Sequence, residues 1–394
     1  MSATASGIVE SEVDPYADDF LLDPHPGYRR LRELGPVVYL PVHAAYALPR
    51  YAEVREALGD WERFSNASGV GLTDPYNAIP GVLHMDPPEH VAERELLIQP
   101  MTTRGLREVS AEIESFASEL ADELLAQASF DGVSDLAQKI PLRIVAQLVG
   151  LPPAGRERML EWAADGFNSM GPENQRTYTA LAGFGGLMEY VENEVSPQTV
   201  VPGSWASYVF EQAEREGFSV AEARAKILVY VIPSLDTTIQ AMASAVWLFG
   251  RNPAQWQLLR ERPELVNRAI NEVLRLESPV QVFTRRVRGG DHDFAGARLP
   301  DGARVLVMFA SANRDERKWE DPERFDITRE GVSEHLAFGF GQHLCMGQGL
   351  ARLEMRELLK ALLGRVKRIE IGDWERPLNN VLRGFSQMEV RVSQ

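Results

Sequence analysis

The chain contains one cysteine, Cys345, set in Phe338-Gly339-Phe340-Gly341-Gln342-His343-Leu344-Cys345-Met346-Gly347, directly before a run of helical periodicity. A protein uses this arrangement to offer a single thiolate to a haem iron, where its electron donation favours cleavage of an O–O bond. Gly341 and Gly347 are positions where the backbone can turn tightly and approach a flat macrocycle that a Cβ would strike. Phe338 is placed to lie against the sulfur and keep water away. A lone cysteine on its own is as readily a small buried hydrophobe. The spaced set Phe-x-x-Gly-x-x-x-Cys-x-Gly changes that balance, because average residue usage produces it by chance in about one chain in a thousand of this length.

Few other features divide or redirect the chain. Its 394 residues carry no Gly/Ser- or Pro-rich linker, repeat or low-complexity tract, so a flexible segment 1–14 followed by one mainly α domain, 15–394, is expected. With 44% hydrophobic residues there is enough apolar material for an extensive core around a cofactor. A net charge of -16 argues against nucleic acid as a partner, since phosphate binding needs clustered cations. The first ten residues have no basic, apolar signal pattern, and no uninterrupted apolar run reaches a membrane span. One cysteine allows no internal disulfide, and a cytoplasmic location is expected.

Along the chain, residues 26–34 read as a helix, 37–40 and 45–48 as a strand hairpin, and 51–58 as a helix. Residues 60–85, rich in Gly, Pro and Asn, read as a long loop suited to covering a substrate. Helical periodicity then dominates 89–250, broken at Pro152-Pro153, Gly171-Pro172 and Pro202-Gly203. Further helices are expected from Pro253 and Glu264, with short strands over 283–287 and 304–309.

Three more strings bear on chemistry. Glu272-Val273-Leu274-Arg275 puts an acid and a base on one helical face, and Pro322-Glu323-Arg324-Phe325 follows downstream. Ser234-Leu235-Asp236-Thr237-Thr238 places an acid and alcohols inside a long apolar helix, 220–250, where they are unexpected; a polar patch bonded back to its own carbonyls is the plain alternative. His90 and Arg94, four apart behind Pro87-Pro88, present two donors on one face, and such donors are needed wherever two haem propionates are buried. With the cysteine string, these sequences resemble the cytochrome P450 monooxygenases over nearly the whole chain.

That resemblance implies a mainly α fold with a long central helix over a buried haem b and small peripheral sheets. It implies Cys345 as the axial ligand, Phe338 and Gly347 beside it, and His90, Arg94, Arg285 and His343 as propionate partners. Arg324 would complete a structural triad with Glu272 and Arg275. Asp236 would relay protons and Thr237 would hydrogen-bond the oxygen being activated. Pro233-Ser234 departs from the family, which has small residues there; proline removes a backbone donor, so a kink is expected. No flavin, nicotinamide or iron-sulfur motif is present, so electrons from a separate ferredoxin and its reductase are implied. The cations Arg352, Arg356, Lys360, Arg365, Lys367 and Arg368 either help to dock such an acidic donor or form an ordinary solvated face.

Within the family, strings opening at Ser68, Leu235, Glu277, Ser311 and Asn380 resemble the bacterial enzymes that demethylate para-methoxybenzoates. Those relatives clamp the substrate carboxylate with an arginine and two serines. Asn77, Pro80 and Val229 occupy these places here. A carboxylate buried without a cation costs several kcal/mol, so a small neutral methoxylated phenol such as guaiacol, a 4-alkylguaiacol or syringol is the expected substrate, with O2. Leu83, Phe167, Val280, Phe283 and Phe385, with Pro233, are the expected apolar walls, and Gly166 and Met170 leave an adaptable space. The rivals are demethylation of the benzoates themselves, hydroxylation of another small hydrophobe such as a terpenoid, peroxide-driven turnover, and a haem sensor or electron carrier.

Overall fold

The succession of helices expected over 89–250 follows from where the sequence places caps and breakers. The computed structural model describes residues 8–73 and 81–394. It contains Glu89–Ile98, Arg107–Leu125, Lys139–Val149, Met159–Asn168, Gln175–Glu194, Trp205–Glu216, Val220–Val231 and Asp236–Arg251. The three Pro/Gly pairs fall in gaps between these helices. Asn174 Oδ1 accepts the Thr177 N–H at 2.9 Å and Ser204 Oγ the Ser207 N–H at 3.2 Å, each satisfying an orphan donor of a first turn. Ser219 and Glu222 form a reciprocal capping box that opens Val220–Val231.

Val220–Val231 and Asp236–Arg251 are one helical path interrupted at residues 232–235. The break stands where Pro233 was expected to kink a single helix. The second half is buried almost all round, with Ile239, Met242, Ala243, Val246 and Phe249 each at most 2% exposed, as befits a helix crossing the core. By length and composition the stretch Val220–Arg251 could cross a bilayer, contrary to the expectation that no segment is long enough, but 67% of its most apolar window is buried inside the protein. It is the core helix of this fold.

The sheets lie at the periphery. One has the strand order Val9–Glu10, Val38–Leu40, Ala45–Leu48, Arg304–Val307, Phe283–Val287, Phe64–Ser65. Val38–Leu40 and Ala45–Leu48 form the expected antiparallel hairpin, and Ala45–Leu48 runs parallel to Arg304–Val307. The strand expected to reach Phe309 stops at Val307, and Phe309–Ala312 turns into a short helix. Arg368–Glu375, Gln387–Ser393 and Phe130–Asp131 make a second sheet. The chain is fixed earlier than the expected boundary at residue 14: Ile8 is buried and Val9–Glu10 pairs with Val38 and Tyr39.

Glu272 and Arg275, both fully buried, meet in a fork, Nε to Oε2 at 2.7 Å and Nη2 to Oε1 at 2.9 Å. The third cation is Arg329, whose Nε reaches Glu272 Oε1 and Oε2 at 3.1 and 3.2 Å. This corrects the expected triad. The Arg324 side chain is 63% exposed and pairs with Asp326, contributing only its carbonyl to Arg275 and Arg329. Truncating one partner of a buried ion network leaves an uncompensated charge, so Arg329→Ala is expected to lower unfolding stability by about 3 kcal/mol. Arg324→Ala should lower it by under about 1 kcal/mol; urea denaturation measures both, and equal losses would reinstate Arg324.

Helix Gln348–Leu363, which follows the cysteine, buries Glu354 with neither carboxylate oxygen paired among the described residues. Burial pushes its carboxyl up to about 8. The folded value lies above the ordinary one, so the native state binds the proton more tightly and stability falls as pH rises from about 4.5 to about 8. Glu354→Met is expected to flatten that decline and to stabilise the protein at pH 8 by roughly 1–4 kcal/mol; an unchanged pH profile of thermal unfolding would contradict it.

Candidate active site

The loop before helix Gln348–Leu363 is shaped by backbone geometry. Gly341 has φ +72°, and a Cβ there would stand 2.5 Å from Leu58 O, so glycine is required both for the turn and for the approach. The Cys345 N–H donates to Phe338 O at 2.9 Å, which closes the loop. Gly347 has an ordinary helical φ of -76° and serves by leaving space, its Cβ position being 3.9 Å from Sγ. Burial pushes the Cys345 thiol up; against this, Sγ accepts from the backbone N–H groups of Gly347 and Gln348 and lies in the field of Arg94 and Arg352. The two N–H groups at the start of the helix and the two cations thus favour the thiolate form against the larger effect of burial.

Sγ faces a chamber that encloses about 1880 Å³ of atom-free space, its open mouth included. His90, Arg94, Arg285, Phe338, His343, Cys345 and Gly347 all line it. The rings of His90 and His343 are 4.3 Å apart. Both ring nitrogens of His90 and Nε2 of His343 are buried without a partner among the described residues. Burial and neighbouring cations push both imidazoles down, His343 to about 2. Arg94 donates to Leu344 O at 2.6 Å and Arg285 to Thr284 O at 2.8 Å. His84, which the sequence reading did not single out, lines the chamber with them.

The broken helix presents Pro233, Ser234, Thr237 and Thr238 to the same chamber. Thr237 Oγ1 donates to Pro233 O at 2.8 Å, so its hydroxyl satisfies a carbonyl at the break. Asp236 is set back from the wall, its Oδ1 accepting from Gln240 Nε2 at 3.2 Å. Burial raises its carboxyl above the usual range, and the Gln240 bond opposes that rise.

Leu83, Phe167, Met170, Val229, Val280 and Phe283 complete the lining as expected substrate walls. Two expected contacts are displaced. Gly166 is buried behind the wall, because its neighbour Phe167 takes the inward face of Met159–Asn168. Phe385 is 1% exposed and packs against Trp247 and Trp374 with the Arg376 guanidinium 4.0 Å from its ring, which holds it away from the chamber. Asn77 and Pro80 lie outside the described residues. The cationic face is largely committed internally: Arg352 sits 4.4 Å over the Phe338 ring and donates to Asn271, Arg356 and Lys360 share Glu357, Arg365 pairs with Asp122, and Arg368 pairs with Glu370.

A half-buried thiol at a helix start, facing a largely apolar chamber with unpaired imidazole nitrogens beside it, defines a haem-thiolate site. Comparison with known proteins agrees. Residues 205–381 match the family model for cytochrome P450. The chain is 37% identical to cytochrome P450 CYP199A2 of Rhodopseudomonas palustris over 100% of its own length and 96% of the relative's. It is 30% identical to a putative cytochrome P450 123 of Mycobacterium tuberculosis, covering 98% of each. Among solved structures, cytochrome P450 CYP109Q5 of Chondromyces apiculatus superposes with a TM-score of 0.81 at 26% identity, over 98% of both chains. The chain belongs to the cytochrome P450 family, and it is a haem-thiolate monooxygenase that binds haem b through a cysteine thiolate.

The residues present fit that cofactor. The apolar lining suits the tetrapyrrole, the unpaired nitrogens of His90 and His343 suit its propionates, and the thiol suits the iron. His90→Phe keeps the ring and removes both nitrogens. It is expected to speed haem loss to apomyoglobin by about tenfold or more, the worth of one hydrogen bond to a charged group; an unchanged rate would assign His90 to packing.

Proposed function

We propose that this cytochrome P450 removes the methyl group of a small neutral methoxylated phenol of the guaiacol, 4-alkylguaiacol or syringol type. The observation that carries the reading is the chemistry of the described substrate wall. Leu83, Phe167, Met170, Val229, Val280 and Phe283 are all apolar. The chamber's His90, Arg94, Arg285 and His343 are instead gathered near the cysteine loop, where Arg285, His90 and Arg94 act on His343. A carboxylate against the apolar wall would forfeit several kcal/mol of hydration, whereas a neutral methoxyphenol gives up only the smaller hydration of its hydroxyl and ether oxygens.

The reaction balances as aryl methyl ether plus O2, two electrons and two protons giving a phenol, formaldehyde and water. Bound haem b supplies dioxygen activation and insertion of one oxygen atom into the methyl C–H bond. The resulting O–CH2OH hemiacetal collapses by breaking its aryl-oxygen-to-CH2 bond. The chain's own part is to hold the ring, exclude water and manage protons. Thr237 already gives its hydroxyl proton to Pro233 O, which leaves its oxygen as an acceptor toward the chamber. Asp236, with its carboxyl raised by burial, keeps a proton at a higher pH than an exposed carboxylate and is assigned as the proton source. Electrons come from a separate ferredoxin and its reductase.

Spectral titration of the ferric holoenzyme tests the substrate class. Guaiacol, syringol or 4-propylguaiacol is expected to displace water from the iron and shift it from low to high spin, with 4-methoxybenzoate silent. A shift with the benzoate alone would overturn the neutral-substrate reading in favour of benzoate demethylation, and a response only to terpenoids would favour another hydroxylase.

A further inference from the structure

Gln240 lies one helical turn after Asp236 in Asp236–Arg251 and is only 7% exposed. The two ends of its amide face different partners. Nε2 donates to Asp236 Oδ1 at 3.2 Å, and Oε1 accepts the Phe385 backbone N–H at 2.6 Å. A Cβ on Gly384 would stand 1.8 Å from that oxygen, so any larger residue there makes the Gln240 side chain move. Among the described residues, burial raises the Asp236 carboxyl and the Gln240 amide opposes that rise.

The same loop is bonded to walls of the chamber. The Asn380 N–H donates to Asn168 Oδ1 at 2.9 Å and its Nδ2 to Asn168 O at 2.8 Å, on the helix that carries Phe167. The Gln281 N–H donates to Val381 O at 2.9 Å and the Arg383 N–H to Pro279 O at 2.8 Å, bracketing Val280. Phe167, Pro279 and Val280 line the chamber. A hydrogen-bonded path therefore runs from two substrate walls through seven residues of loop to Gln240 and the acid.

We propose that Gln240 is a positioning residue that orients the Asp236 carboxyl, and that the 379–385 loop acts through it, so that substrate seated against Phe167 and Val280 aligns the acid for proton delivery. The inference rests on the assignment of Asp236 as proton source. A merely structural Gln240 would tie helix to loop and leave proton transfer alone.

The test compares Gln240→Leu, Gly384→Ala and Asp236→Asn in the holoenzyme with electrons supplied. Gly384→Ala pushes Gln240 aside from outside the chamber, and it carries the test if Gln240→Leu fails to fold. Both variants are expected to lower kcat by roughly tenfold, part of what a positioned acid contributes, with a larger solvent deuterium isotope effect and an unchanged substrate Kd. The Phe385 amide should also exchange hydrogen faster in Gln240→Leu. Wild-type kcat and isotope effect in both variants, with Asp236→Asn impaired, would overturn the positioning role. A wild-type isotope effect in Asp236→Asn would overturn the proton-source assignment and the inference with it.

Discussion

Keeping a thiolate in an apolar interior is the constraint around which this structure is organised. Burial alone drives the Cys345 thiol toward its neutral form. The chain counters with two backbone N–H groups at the start of Gln348–Leu363 and with Arg94 and Arg352 nearby. Each needs support from elsewhere: Arg352 rests on the Phe338 ring, Arg94 is tied to Leu344 O, and Gly341 turns against Leu58. The buried Glu272–Arg275–Arg329 network fixes helix Val266–Glu277 to the segment just upstream of the cysteine loop. A position held from several directions is what keeps one sulfur aimed at one metal.

Across the chamber the requirement is reversed, since protons must reach the reacting oxygen while bulk water stays out. The broken helix meets it with few polar atoms. Pro233 cannot donate a backbone hydrogen bond, Thr237 satisfies its carbonyl from the side chain, and Asp236 sits behind the wall in the grip of Gln240. Ser234 and Thr238 are the other polar residues the broken helix shows the chamber, while Leu83, Phe167, Met170, Val229, Val280 and Phe283 are apolar, so a charged group of a substrate set against these six finds little to replace its hydration. The proposed substrate wall and Asp236 are both tied to the 379–385 loop, the carboxyl through the Gln240 side chain.

Much of this was legible in the sequence where the signal was local. The Cys345 loop, the irregularity at Pro233, and the helix breaks at Pro152-Pro153, Gly171-Pro172 and Pro202-Gly203 depend on residues within one or two turns. The third cation beside Glu272 was not legible, because the chain offers Arg324 and Arg329 within one short segment and only the fold decides which points inward. Phe385 and Gly166 failed for the same reason: alignment places a residue near a site, but packing of Phe385 on Trp247 and Trp374 decides which way it faces. Gln240 did carry a signal, since it follows Asp236 by four and shares its helical face. The early fixing of Val9–Glu10 arises from a sheet partner 29 residues later, Val38 and Tyr39, which a flexible-looking terminus cannot announce.

Demethylation of a neutral methoxyarene by a thiolate-held haem under an apolar wall, as proposed, is measured most directly by product stoichiometry under steady turnover, with purified ferredoxin, reductase and NADH and with 4-propylguaiacol as substrate. One formaldehyde and one catechol are expected for nearly every NADH consumed. NADH consumed without formaldehyde, or formaldehyde released at full yield only from 4-methoxybenzoate, would contradict it.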